Sequence, residues 1–227
     1  RGVRGHLPQR CSCVAGLSRY GQGMEPSVIS ELAEVDAGAV VGMGCKVWQL
    51  AQIREDAVVG HSCVIGRGAY VGAGVRIGDN VKLQNFALVY EPAVLGDGVF
   101  VGPGAILTND RNPRSTDPVG RLKSGGDWNA EGVVVAAGAS IGAGAVVLGG
   151  ISIGEWAMVG AGAVVVHDVP DHGLAVGNPA RLIGWVGRSG KRLRADGKQW
   201  ICPATGETYD RTDRGLRLCD AGEVADQ

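Results

Sequence analysis

Aromatic side chains are scarce in this chain of 227 residues: five Trp, four Tyr and two Phe. Rings carry much of the buried area in an ordinary globular core, so the core here must rest on smaller groups. Proline, at nine residues, is not raised, which excludes a Pro-rich low-complexity chain. No Gly-X-Y triplet runs through the sequence, so a collagen-like helix is excluded. No apolar run approaches the ~18 residues that a membrane-spanning helix needs. Formal net charge is only -1, which removes any general attraction to nucleic acid or anionic lipid and makes any phosphate recognition local. Six cysteines are too few for a disulfide scaffold. The basic stretch from Arg1 to Arg10 is followed by only a short, poor apolar segment, Cys11 to Leu17, and reads as no secretion signal. The expectation is a cytoplasmic protein with reduced thiols, without nucleic-acid or membrane partners.

What is abundant is glycine, 39 residues, well over twice the usual share of about 7%. A hydrophobic fraction of 45% against 20% charged is too apolar for a disordered chain. The glycines belong to a period. Aliphatic residues recur at every sixth position from Val35 through Val41, Val47 and Ile53 to Val101 and Leu107, thirteen in succession. The phase breaks across Thr108 to Val134 and resumes at Val135, Ile141, Val147, Ile153, Val159 and Val165, making nineteen hexapeptides. The position after each aliphatic is often Gly, as at Gly42, Gly60, Gly66, Gly72, Gly78, Gly96 and Gly102. Four positions after it lies a small or medium apolar residue, such as Ala39, Cys45, Ala51, Cys63, Ala69 or Ala105.

A period of six fits neither an α-helix nor a plain alternating strand. It fits short strands bent at every repeat, three to an 18-residue coil, with the aliphatic and the small residue pointing inward. Glycine takes the corners, where a side chain would clash. Nineteen hexapeptides make about six coils, a prism roughly 30 Å long at the spacing of neighbouring strands. Its narrow interior accounts for the missing rings, and Cys45 and Cys63, one coil apart at inward positions, read as core.

The hexapeptides resemble the hexapeptide-repeat acyltransferase superfamily. That resemblance implies an all-β fold, the left-handed parallel β-helix, with the handedness taken from the resemblance alone. It also implies a homotrimer with sites between neighbouring prisms. The expected organisation is an N-terminal extension over residues 1–24, a β-helix over 25–170 with an inserted loop over 109–132, and a C-terminal cap and tail over 171–227.

Departures from the repeat mark the candidate site. At corner positions, Trp48, Arg54, Gln84, Tyr90 and Thr108 stand in place of glycine. The 18-residue coil places Asn85 in register between Arg67 and Pro103, and Glu91 below Asn109. The loop that follows carries Arg111, Asn112, Pro113, Arg114, Arg121 and Lys123, an anion site if they act together. Lys82-Leu83-Gln84-Asn85, Val89-Tyr90-Glu91 and Thr108 to Ser115 look like bacterial sugar-nucleotide N-acetyltransferases, as do Asp168-Val169-Pro170, Gly177 to Arg181 and Gly184-Trp185-Val186. The branch most similar acts on UDP-linked 3-amino-2-acetamido-dideoxy-glucuronate and related 3-amino sugars. The likeness runs over roughly Ser27 to Tyr209.

That resemblance implies transfer of acetyl from acetyl-CoA, a cosubstrate, to the amine of a UDP- or dTDP-linked amino sugar, with no metal. Many relatives use a catalytic histidine; this chain has His6, His61, His167 and His172, each read as surface histidine, and Asn85 matches the position that is asparagine in the similar N-acetyltransferases. Its carbonyl oxygen is expected to accept a hydrogen bond from the sugar amine, with Glu91 assisting. Trp48, Gln84, Tyr90, Asn109, Arg111, Asn112 and Arg114 are the expected acceptor contacts. For the donor, backbone amides near Ala143 and Ala161 would bind the pantetheine arm. Asn178 and Arg181, with Arg188, Lys191, Arg192, Arg194 and Lys198 nearby, would meet CoA phosphates. The chain departs from its relatives at Phe86, where many have a second asparagine, and across Lys46-Val47-Trp48-Gln49, where they tend to carry histidines. These changes bear on the acceptor more than on the reaction.

Three alternatives stand beside this one. A carbonic anhydrase of the same fold needs three histidines around zinc, and the repeats before the loop offer only His61. N- or O-acyl transfer to a different small acceptor in specialised metabolism is the second, and O-acetyl transfer to a hydroxyl normally wants a histidine base. A non-catalytic scaffold leaves the polar patch unexplained. In the tail, Cys202 and Cys219 are too few for a four-ligand zinc site, Cys11-Ser12-Cys13 is a weak metal or redox signal, and Trp200 to Tyr209 suggests a small hairpin.

Overall fold

The computed structural model describes residues 25–219; the expected extension over residues 1–24, with His6, Cys11 and Cys13, lies outside the described residues. The chain winds as a parallel β-solenoid of twenty two-residue strands from Val28–Ile29 to Val164–Val165. Each strand pairs with the one three hexapeptides on, so that Lys82–Leu83 lies between Val64–Ile65 and Phe100–Val101. Three faces result. The first carries Lys82–Leu83, the second Leu88–Val89 and the third Val94–Leu95. Three edges join them and are called here the Asn85 edge (first to second), the Glu91 edge (second to third) and the Asp97 edge (third to first).

From Val47 onward the second residue of each two-residue strand is buried. Ile53, Ile65, Leu83, Leu95, Leu107, Ile141 and Ile153 are fully buried. The small residues Ala51, Cys63, Ala69, Ala87 and Ala105 fill the corners of the core, and no aromatic side chain enters it. Cys45 and Cys63 are buried free thiols, as their phase requires. Burying aliphatic groups in this continuous column is the main stabilising term, at about 25 cal/mol per Å².

The stack is deeper than the expected six coils: the first face runs eight parallel strands deep, from Val28–Ile29 to Gly173–Val176. Ile29 continues the six-residue phase below Val35, and Gly173–Val176 stacks on Met158–Val159 after the hexapeptide spacing has lapsed. The inserted loop leaves the ladder intact, because Val94 pairs with Val134 and Ile106 with Val146 across it.

Beyond the solenoid, Gly173–Val176 folds back on Arg181–Trp185 through a turn containing the cis Asn178–Pro179 bond. The expected tail hairpin is instead a four-stranded antiparallel sheet of Arg194–Asp196, Gln199–Ile201, Thr208–Thr212 and Gly215–Leu218. It has its own core of Trp185, Leu193, Cys202, Tyr209 and Leu216, which explains why rings reappear here. Asp171 ties this sheet to the prism: its carboxylate pairs with Arg214 at 3.2 Å and accepts the Glu155 N–H at 2.8 Å. No helix among the described residues is long and apolar enough to cross a membrane.

Candidate active site

The corners obey a simple grammar that determines what a departure means. The glycine directly after each inward aliphatic does not have positive φ. It is there because a Cβ would run into the next coil: at Gly102 it would lie 2.6 Å from the Ala143 nitrogen, and at Gly66 2.6 Å from the Asn85 nitrogen. Left-handed backbone falls two residues later, at Gly104 (φ 67°) and its equivalents, and there Leu50, Asp56, Ser62, Asn80, Phe86 and Trp156 also adopt it.

Between these two positions sits a residue whose side chain can reach down to the preceding coil. On the Asp97 edge the Asp79 N–H donates to Asp97 Oδ1 at 2.8 Å, the His61 N–H to Asp79 Oδ1 at 2.6 Å, and the Met43 N–H to His61 Nδ1 at 3.0 Å. These bonds satisfy corner amides that the strand ladder leaves out. Asn85 makes the same rung on its own edge, accepting the Arg67 N–H on Oδ1 at 3.0 Å. The donor is a backbone amide, so the acceptor atom must be the oxygen and the amide orientation is settled. One of the two lone pairs on the oxygen expected to meet an amine is thus already taken by the Arg67 N–H.

Glu91 occupies the equivalent position on the next edge, one methylene longer. Its carboxylate lies against Gly72, where a Cβ would strike it, and Oε2 is buried with no hydrogen-bond partner. Its backbone carbonyl accepts Asn109 Nδ2 at 2.7 Å. Tyr70 and Tyr90 meet at 5.1 Å between ring centroids on this side, and burial first, then the Glu91 carboxylate, pushes the Tyr70 phenol above its ordinary value.

The expected site residues therefore divide between two edges. Trp48, Gln84, Asn85, Ala143 and Ala161 align along the Asn85 edge, the last two reached through Pro103: the Gly144 N–H donates to Pro103 O and the Gly162 N–H to Ala143 O. The Ala143 and Ala161 N–H groups have no acceptor among the described residues. Phe86 stands beside Asn85, 53% exposed in a left-handed conformation, with its ring over Gly68 and the Arg67 guanidinium 5.9 Å from its centroid.

Tyr90, Glu91, Asn109 and Arg111 lie on the Glu91 edge. Arg111 is committed to holding the loop, donating to the Gly149 carbonyl at 2.6 Å and pairing with Glu131 at 3.3 Å. Asn112 donates its N–H to Asp110 Oδ1 within the loop. Arg114 lines a cavity of about 320 Å³ with Asp110, Ser115, Lys123, Ser124 and Trp128. Trp128 had no signal in the sequence, because the loop has no period to depart from.

The expected cationic cap does not act as one cluster. Arg188 is paired with Glu207 and Arg192 donates to the Ile183 carbonyl at 2.7 Å. Asn178 precedes the cis proline, and Arg181 lines a cavity of about 300 Å³ with His167, Asp168 and Leu182, at the end of the stack.

His172, expected at the surface, is 4% exposed. It packs edge-on to Tyr209 and shares an Nδ1 hydrogen bond of 2.9 Å with the Val186 carbonyl, a contact that the hexapeptide phase could not reveal. Among the described residues, no group of three or more His, Cys, Asp or Glu side chains is placed to hold a metal ion.

The stacked two-residue strands and their corner rungs define a hexapeptide-repeat solenoid. The sequence pattern described as bacterial transferase hexapeptide (six repeats) matches residues 74–109. It is 42% identical over 80 residues to the dTDP-3-amino-3,6-dideoxy-alpha-D-galactopyranose 3-N-acetyltransferase of Aneurinibacillus thermoaerophilus, covering 35% of this chain and 41% of that one. It is 42% identical over 81 residues to the serine acetyltransferase of Escherichia coli (strain K12), covering 35% and 29%. The chain thus spans less than half the length of either curated relative. Among solved structures, PerB from Caulobacter crescentus in complex with CoA and GDP-perosamine is 26% identical over 71% of this chain and 58% of that one, at a TM-score of 0.39.

Proposed function

We propose that this chain is an acetyl-CoA-dependent N-acetyltransferase acting on the amino group of a nucleotide-linked 3-amino sugar, of UDP or dTDP type. The observation that carries the reading is the Asn85 edge, where an exposed amide and the unpaired Ala143 and Ala161 N–H groups follow one line. Such a row of backbone donors suits the carbonyls of an extended pantetheine arm and the thioester at its tip. The similarity to a dTDP-3-amino-sugar N-acetyltransferase supports the acceptor class.

The similarity to serine acetyltransferases keeps an O-acyl acceptor as the second reading. Two of the histidines weigh against it. His61 Nδ1 takes the Met43 N–H, and His172 is buried against Val186, so neither stands at the Asn85 edge as a base. An amine free of its proton needs no such base. A purely structural solenoid does not account for Glu91 Oε2.

Asn85 and Glu91 lie on different edges of one prism, so a site using both draws on a second copy. The second face favours that arrangement. Its outward residues Tyr70, Leu88, Ile106, Val146 and Val164 form an unbroken apolar row, whereas the first face carries Lys46 and Lys82 and the third Arg76 and Ser152. A homotrimer burying the second face would put both candidate edges at its clefts. Arg114, Lys123 and Trp128 offer cations and a ring for the nucleotide.

The direct test is thiol release from acetyl-CoA against UDP- and dTDP-linked amino sugars, simple amines and serine. Turnover confined to a nucleotide-linked amino sugar is expected. Faster turnover with serine would replace this reading with the second.

A further inference from the structure

Each acceptor oxygen of Asn85 is already engaged by one backbone N–H and keeps a single lone pair, whereas both of its donors are free. Its backbone carbonyl accepts the Gly104 N–H and its Oδ1 accepts the Arg67 N–H, each at 3.0 Å. Its own backbone N–H, below Pro103, has no acceptor among the described residues, and neither has Nδ2. Proline brings no side-chain acceptor to close the next rung. The residue is exposed, so these donors face whatever binds at the edge.

The comparison with other rungs gives this its force. Asp79, Asp97 and Asp171 make the same bond to the preceding coil with a carboxylate. For holding the corner an aspartate would therefore serve at position 85. What asparagine adds is the NH₂ group, a donor in place of a second negative oxygen.

From this wiring we infer that Asn85 acts as an electrophilic donor: its Nδ2–H stabilises the oxyanion that forms on the acyl thioester carbonyl. It does not act by accepting a hydrogen bond from the amine. The assignment rests on the acyltransfer reading above. The amine lone pair forms the new C–N bond and the carbonyl π pair moves onto oxygen, where the Asn85 Nδ2–H holds it. Collapse of that oxyanion breaks the C–S bond. The ammonium proton goes to the departing thiolate, leaving an amide and free CoA thiol with no further co-reactant.

The test compares native protein with Asn85→Asp and Asn85→Ala. Asp keeps the rung to Arg67 but exchanges the donor for an anion, so its thermal midpoint should stay close to native while that of Ala falls. Calorimetry reports acetyl-CoA binding, and infrared difference spectra of bound [1-¹³C]acetyl-CoA report polarisation of the thioester carbonyl. A lowered carbonyl frequency is expected in native protein and lost in both variants, and turnover of an amino-sugar nucleotide should fall at least ~100-fold in each.

If Asn85 instead accepted from the amine, a carboxylate would serve as well or better. Asn85→Asp turnover within tenfold of native, or a carbonyl frequency still lowered in that variant, would overturn the assignment. Bound acetyl-CoA with the expected spectra, but no turnover of any sugar nucleotide, would sink the proposed acceptor and leave the donor role standing. No acetyl-CoA binding by native protein would overturn both.

Discussion

Glycine does two different things at the corners of this prism, and the two predict different costs when a methyl group is added. At Gly102 the new Cβ would lie 2.6 Å from the Ala143 nitrogen, a backbone atom that cannot move without the whole coil. At Gly104 nothing lies within 4 Å, and only the left-handed backbone opposes substitution. Gly102→Ala should therefore cost about 1–3 kcal/mol, as overpacking does, and Gly104→Ala about 1 kcal/mol. Chemical denaturation of the two variants measures the difference, and equal destabilisation would contradict the corner grammar. A six-residue period locates both glycines, but only the stacking of coils separates the steric one from the conformational one. The same holds for Asn85: its register between Arg67 and Pro103 follows from counting eighteens, whereas the direction of its amide follows from a hydrogen bond.

His172 adds a pH-dependent prediction at the same scale. Burial pushes its imidazole below its ordinary value, against the raising effect of the Val186 carbonyl. The unfolded chain thus binds a proton that the folded chain resists, so stability is held above the ordinary histidine pKa of about 6.5 and lost as pH falls below it. The slope from this residue is at most about 1.4 kcal/mol per pH unit. Thermal melts at pH 7.5 and 5.5 should show the loss, and His172→Asn, which tolerates the left-handed backbone at this position (φ 61°), should flatten it.

Among the elements, the inserted loop has the least regular structure and the most explicit anchoring. It leaves the prism between Leu107 and Val133 while the ladder closes behind it. Asn109, bonded to the Glu91 carbonyl, and Arg111, bonded to Gly149 and Glu131, clamp its two ends. Removing the clamp should free the loop without unfolding the solenoid. Arg111→Ala is expected to be cut within residues 109–132 several-fold faster by a protease of broad specificity, with a thermal midpoint within a few degrees of native. If cutting is unchanged, Arg111 is not the clamp. The sequence marked this loop by a break in phase and by its cations, but assigned Arg111 to substrate, because an arginine paired with Glu131 reads in sequence like any free one.

At the scale of the whole molecule, the three faces are not equivalent. The row from Tyr70 to Val164 on the second face places five consecutive apolar side chains where a solitary prism would gain more from polar ones. Light scattering is expected to give a trimer for native protein. Ile106→Glu, at the centre of the row, should shift it to monomer at micromolar concentration, with strand content unchanged by circular dichroism. A native monomer would remove the second copy from the proposed site and separate Asn85 from Glu91 for good.

The six-residue phase alone determined the prism. Where Val35 and its successors recur, aliphatic burial makes the chain coil three hexapeptides to a turn, because a core one residue wide accepts nothing larger. It also determined which corners depart from glycine, and through the 18-residue coil which departures stack. The tertiary structure decided what those departures can do. It turned Asn85 Oδ1 onto the Arg67 N–H, left Glu91 Oε2 without a partner, and buried His172 beneath a sheet that no period announces. Periodicity specifies which residues point inward; the partners of an outward side chain depend on neighbouring coils and on segments outside the repeat. That is why the opening scarcity of rings already described the core, and why the chemistry of its edges had to be read from hydrogen bonds.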